Sequence, residues 1–253
     1  MGSGHSAHLH VEGTTTLHRM PAHAKLVGLV AFVLAVVSVP PQDHLALAGL
    51  LLLALAVLGS TRVPVRHLLP RLAVELPFAV FALLLPFVAV GPQVALGPFT
   101  VSQAGLDAAV ALLLKGTTGV LVAVAFAVTT RPRDLVRALQ HLRVSDALVT
   151  ITGFMVRYVD VVGDQLRRMR VARASRGFTA RSVRAWPALA ASTGALFIRS
   201  YERGERVHLA MVSRGWSGRM PVTAPLAASP AQWVLALVPA AVAAVVTVGV
   251  RLG

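Results

Sequence analysis

The sequence predicts an all-α, polytopic membrane protein with about five transmembrane helices and a cytoplasmic domain of long basic helices. Three observations predict this class. The 253-residue chain is 56% hydrophobic and only 13% charged, about half the usual charged share, with a mean hydropathy of +0.72. Its apolar residues gather into uninterrupted runs whose natural solvent is a bilayer. The net charge of +14 is concentrated in one place, because residues 131–219 hold 17 arginines against 6 acidic residues. Inter-span segments rich in Lys and Arg stay on the cytoplasmic side.

The runs divide the chain into a polar N-terminal segment at 1–24, a membrane domain of about four spans at 25–130, a basic cytoplasmic domain at 131–220 and a C-terminal span at 221–253. Five of the nine histidines (His5, His8, His10, His18 and His23) lie in the first segment. The first run, Leu26–Val39, stops at Pro40-Pro41, and the second, Leu45–Leu58, stops at Gly59-Ser60. Each is about 21 Å long as helix, short of a ~30 Å hydrocarbon core. Flanking residues such as Lys25 therefore complete the span by snorkelling.

A third run, Ala73–Val90, carries Glu75, Pro77 and Pro86 and reads as one kinked span. Residues 91–105 are rich in Gly and Pro, lack Lys and Arg, and read as an external loop. The fourth run, Leu106–Val128, contains Asp107 and Lys115, and the last, Ala231–Val250, contains no charge. Basic flanks at Arg19/Lys25, Arg62/Arg66/Arg71 and 131–219 alternate with loops free of Lys and Arg. This places the N-terminus inside and the C-terminus outside. Only Arg251 runs against that alternation.

In the basic section, Arg131-Pro132-Arg133-Asp134 reads as a helix start, with proline and an acidic residue in the first turn. The apolar patches at 147–156 and 186–198 are too short to span alone and read as helices lying against the membrane body. One tripeptide then occurs twice, 38 residues apart: Ser175-Arg176-Gly177 and Ser213-Arg214-Gly215, followed by Phe178 and Trp216. Arg167, Arg170, Arg173 and Arg176 form one inclined helical stripe. Asp164 stands four before Arg168, and Glu202 four before Arg206, the spacing of helix-stabilising pairs. A glycine after each arginine predicts a left-handed helix stop, which leaves Arg176 and Arg214 on the last turn of a rod. Arginine near a helix C-terminus is favoured by the dipole alone. The doubled pattern points further, to a planar, permanently charged fork aimed at an acidic groove.

These stretches resemble the transmembrane (T) component of energy-coupling factor transporters, the cobalt/nickel type often called CbiQ. The matching residues are "MRVARASRGF", "RSYERGERVHLAMVSRGW", the preceding "FMVRYVDVV", and "LHRMPAHAKLVGLVAFVLAVV" with its Pro40-Pro41 stop. The resemblance covers essentially the whole chain. It implies a multi-pass plasma-membrane scaffold whose two long cytoplasmic helices cross, and whose Arg176 and Arg214 dock into two ABC-type ATPases. Ser175, Gly177, Ser213 and Gly215 are the implied motif neighbours. It further implies that ATPase motion passes through a coupling domain at 131–220 to a separate substrate-binding membrane subunit carrying cobalt or nickel. By the same token ATP is bound by the partners and no cofactor by this chain. One departure is Ser rather than the more frequent Ala before each arginine, and both are small.

Other chemistries are poorly supplied. The chain has no cysteine, which excludes disulfides and thiolate metal sites. No GxxxxGK[ST] or GxGxxG sequence occurs. His8 and His10 with His5 or Glu12 are a candidate imidazole set without a helix to fix it, so no metal site is assigned. His208 reads as a packed histidine on the second basic helix. Lys115 is expected to face a partner, pair with Glu75 or snorkel. The rival function is a membrane anchor whose basic helices bind anionic lipid or nucleic acid by charge. An intramembrane enzyme has only Glu75, Asp107 and Lys115 to work with.

Overall fold

The computed structural model describes residues 13–62, 73–96, 99–178, 185–220 and 227–252. Arg66, Arg71, Arg181, Arg184, His5, His8, His10 and Glu12 lie outside them. The described chain is almost entirely helical. Helix α1 is Thr16–Arg19, α2 Ala22–Ser38, α3 His44–Ser60, α4 Leu76–Val88 after a 3₁₀ turn at Ala73–Glu75, and α5 Gln103–Thr129. Then follow α6 Pro132–His141, α7 Asp146–Ala174, α8 Trp186–Val212 and α9 Pro230–Leu252. The loop expected at 91–105 contains instead a short antiparallel hairpin, β1 Gln93–Leu96 with β2 Phe99–Ser102.

The helix limits follow from local chemistry. Pro21 precedes α2, which ends just before Pro40-Pro41, where proline offers no amide hydrogen to continue the ladder. Pro77 sits in the first turn of α4, where the missing donor is harmless. Ser102 Oγ accepts from Gly105 N at 3.4 Å and caps α5.

One compact unit comprises residues 10–138 and 226–253. Within it α2 packs along α9, while α3 and α4 both lie against α5, which also touches α2. Phe32, Val36, Leu47, Leu50, Leu58, Leu121, Val128 and Ala243 form its core. Two glycines let backbones meet. A Cβ on Gly28 would stand 2.3 Å from Ala236 O, and one on Gly105 would stand 2.6 Å from Leu85 O. Small residues at such crossings are the usual means of joining helices in lipid.

The outer faces of this unit are as apolar as its interior: Phe81 is 57% and Leu83 71% exposed. Unpartnered aliphatic surface of this kind belongs against hydrocarbon, and the chain is an all-α membrane protein. Helices α5 and α9 are long and apolar enough to cross a bilayer, while α2, α3 and α4 with its preceding turn are shorter apolar helices.

Several polar residues inside this unit have structural partners, although Thr118 Oγ1 and Thr130 Oγ1 are buried without one. Lys115 does not pair with Glu75. Its Nζ donates to Val37 O at 2.9 Å and Val39 O at 2.6 Å, and Arg251 Nη2 donates to Ser38 O at 2.8 Å. Three carbonyls left over at the end of α2 are thus closed by two cations. Arg251, the exception to the charge alternation, has this use. Glu75 Oε2 accepts from Thr117 Oγ1 at 3.0 Å, and Asp107 Oδ1 lies 3.0 Å from His44 Nε2.

The second compact unit, residues 139–225, holds α7 and α8, which touch over a short stretch. The apolar patches at 147–156 and 186–198 are not separate helices. They are the first parts of α7 and α8, of 29 and 27 residues. Only glycines interrupt the path between apolar and basic stretches, and helices tolerate them at modest cost.

Candidate functional site

Both long helices end in the same way, bond for bond. At the end of α7, Phe178 N donates to Arg173 O at 3.1 Å and Gly177 N to Ala174 O at 3.0 Å. At the end of α8, Trp216 N donates to Met211 O at 3.0 Å and Gly215 N to Val212 O at 2.9 Å. This is the paired 6→1 and 5→2 closure of a Schellman stop. Gly177 and Gly215 have φ of +73° and +81°, a region that a side chain on Cβ disfavours. Ser175 Oγ and Ser213 Oγ each bond three residues back, to Ala172 O at 3.0 Å and Ala210 O at 3.1 Å. The two motifs are structural repeats as well as sequence repeats.

Each aromatic follower folds back on its own helix. The Arg173 guanidinium lies 5.5 Å from the centroid of Phe178, within cation–π range. Trp216 meets His208 edge to face at 5.6 Å and 87°, so His208 packs against the motif. Arg176 and Arg214 themselves are exposed, and neither side chain has an ion-pair partner among the described residues. Some of the other arginines are paired, whereas Arg168, Arg170, Arg199 and Arg203 also have no ion-pair partner among the described residues. Arg167 binds Asp164, one residue earlier than the Arg168 partner expected from the sequence. Arg206 lies 3.9 Å from Glu202 as expected, and Arg137 lies 3.4 Å from Asp134. Arg173 Nε and Nη1 at the first tip and Trp216 Nε1 at the second are buried without an acceptor, as are hydroxyls elsewhere such as Thr118 Oγ1 and Thr150 Oγ1.

Sequence reading missed the roles of Arg173 and Trp216 in closing the tips, although the repeated aromatic was the available signal. No group of three or more His, Cys, Asp or Glu suited to a metal occurs among the described residues. His18 Nδ1 sits 2.7 Å from Thr15 Oγ1, and His23 is buried against Trp233. Chemically, each tip presents an exposed guanidinium to an acceptor-rich surface.

Residues 13–223 match the model of a family described as cobalt transport protein, CbiQ. The chain belongs to the CbiQ family. It is 30% identical to the cobalt transport protein CbiQ of Rhodobacter capsulatus over 93% of each chain. It is 26% identical to the energy-coupling factor transporter transmembrane protein EcfT of Bacillus subtilis over 83% of each. An uncharacterised protein of Methanocaldococcus jannaschii is 28% identical over 81% of this chain and 72% of its own. As a CbiQ-family member the chain is a transmembrane component of an energy-coupling factor transporter for cobalt, and it is not an enzyme.

Proposed function

We propose that this CbiQ-family chain transmits force by docking Arg176 and Arg214 into two ABC-type ATPases. What supports the reading is a single observation: two superimposable helix ends, each presenting an exposed guanidinium with no ion-pair partner among the described residues. Two equal plugs call for two equal sockets, and arginine calls for acidic or carbonyl-lined ones. Ser175, Gly177, Ser213 and Gly215 shape the plugs. Residues 131–220 then act as a cytoplasmic coupling domain, with 1–24 a polar lead, 25–130 the main membrane domain and 221–253 a last span, all in the plasma membrane.

ATP is bound by the ATPases, and this chain carries no cofactor of its own. Motion passes to a separate membrane subunit that selects the divalent metal, cobalt or nickel. Besides these proteins, its partner is the bilayer and not nucleic acid.

The test is co-purification from membranes. The double variant Arg176→Ala/Arg214→Ala remains inserted but loses the ATPases, whereas neutralising Arg181 and Arg184 does not release them. A mechanism of charge alone, through anionic lipid or nucleic acid, predicts equal losses from both pairs.

A further inference from the structure

The two tips share local geometry, and the second has a described attachment beyond it. Beyond the second one the chain runs through Ser217 and Gly218, the latter at φ +91°, and turns back. Arg219 Nε then meets Asp146 Oδ2 at 2.9 Å, and Gln140 Nε2 donates to Met220 O at 3.3 Å. Asp146 is the first residue of α7, and Gln140 lies in the last turn of α6. The segment after α8 is therefore fastened at two points, to the first residue of α7 and to the last turn of α6. At the first tip the described contacts, Arg173 with Phe178 and Ser175 with Ala172, are local to the tip, and the positions that correspond to Arg219 and Met220 lie outside the described residues.

Asp146 occupies the helix start where a carboxylate is favoured by the dipole, so the anchor point is itself well defined. An exposed ion pair is weak, as this one is, with side chains 79% and 56% exposed. Its significance is positional: together with the Gln140 contact it joins the end of one long helix to the root of the other.

We infer that Asp146 and Arg219 are positioning residues that pass displacement of the second arginine tip to the root of the first long helix. This rests on the docking reading above for its source of displacement.

Two measurements test it. In the full chain in lipid nanodiscs without ATPases, Asp146→Asn and Arg219→Gln each speed amide exchange at residues 213–216 by about two- to five-fold. Residues 175–178 keep their wild-type exchange, and Arg219→Lys restores it at 213–216. Equal acceleration at both tips, or none at 213–216, overturns the inference. In the assembled transporter, the same two variants retain the ATPases and hydrolyse ATP, but import less radiolabelled cobalt(II) per ATP, and Arg219→Lys recovers the ratio. An unchanged ratio, or loss of the ATPases, overturns the transmission role. Failure of the docking reading is seen separately, as ATPases retained by Arg176→Ala/Arg214→Ala.

Discussion

Lys115 Nζ donates to the carbonyl of Val39 at 2.6 Å, joining the middle of α5 to the residue just past the end of α2. With Val37 O as a second acceptor, this cation satisfies backbone groups that a bilayer cannot hydrate. Replacing Lys115 by Met removes both donors and leaves the carbonyls exposed to an apolar surrounding. The expected loss is about 1–3 kcal/mol, read as a lower unfolding temperature in detergent. Lys115→Arg, which keeps donors, loses less. Equal stability of Lys115→Met and wild type would refute this role.

At Gly28 the backbones of α2 and α9 approach closely, with Ala236 O 2.3 Å from where a Cβ would stand. Gly28→Ala forces those backbones apart and is expected to destabilise the body by about 1–3 kcal/mol. Gly49→Ala is the control, because nothing lies within 4 Å of its Cβ position. Thermal unfolding of both variants decides: only the first should fall.

The helix stops depend on left-handed glycines. Gly177→Ala and Gly215→Ala each impose about 1–2 kcal/mol of backbone strain, against which the tip must unwind or shift. The double variant should keep its helical circular dichroism yet hold the ATPases less firmly on a column. Gly163→Ala, inside α7 with open space around it, should hold them as well as wild type.

Glu75 and Asp107 are the acidic groups within the described apolar helices and the turn before α4, and each has a side-chain partner: Thr117 for Glu75, His44 for Asp107. A neutral amide can keep either contact. Glu75→Gln and Asp107→Asn should therefore retain cobalt uptake to within about two-fold. Abolished uptake in a normally inserted variant would give the carboxylate a role in the path of the ion.

Much of the architecture was legible because strong breakers frame it. Pro40-Pro41 and Gly59-Ser60 placed the ends of α2 and α3 within a few residues, and the Ser-Arg-Gly repeats announced both helix stops. Other features leave no such trace. The acceptors of Lys115 are backbone carbonyls, which every residue carries, so no spacing could reveal them. Asp164 chose Arg167 over Arg168 because i+3 and i+4 neighbours are nearly equidistant on a helix surface. The apolar first parts of α7 and α8 looked like independent segments because the change from apolar to basic mimics a boundary that the backbone ignores. The tie between Arg219 and Asp146 spans 73 positions and follows no period.

The uninterrupted length of α7 carries a mechanical meaning. Its 29 residues make a rod of about 43 Å at roughly 1.5 Å per residue. Because the Schellman closure ties the last turn to the helix, the backbone of Arg176 moves with the whole rod and carries its side chain along. A tilt of about five degrees at the far end sweeps that guanidinium through about 4 Å, by the same length. Small angular changes at one end are thus geared up into displacements larger than a hydrogen bond at the other.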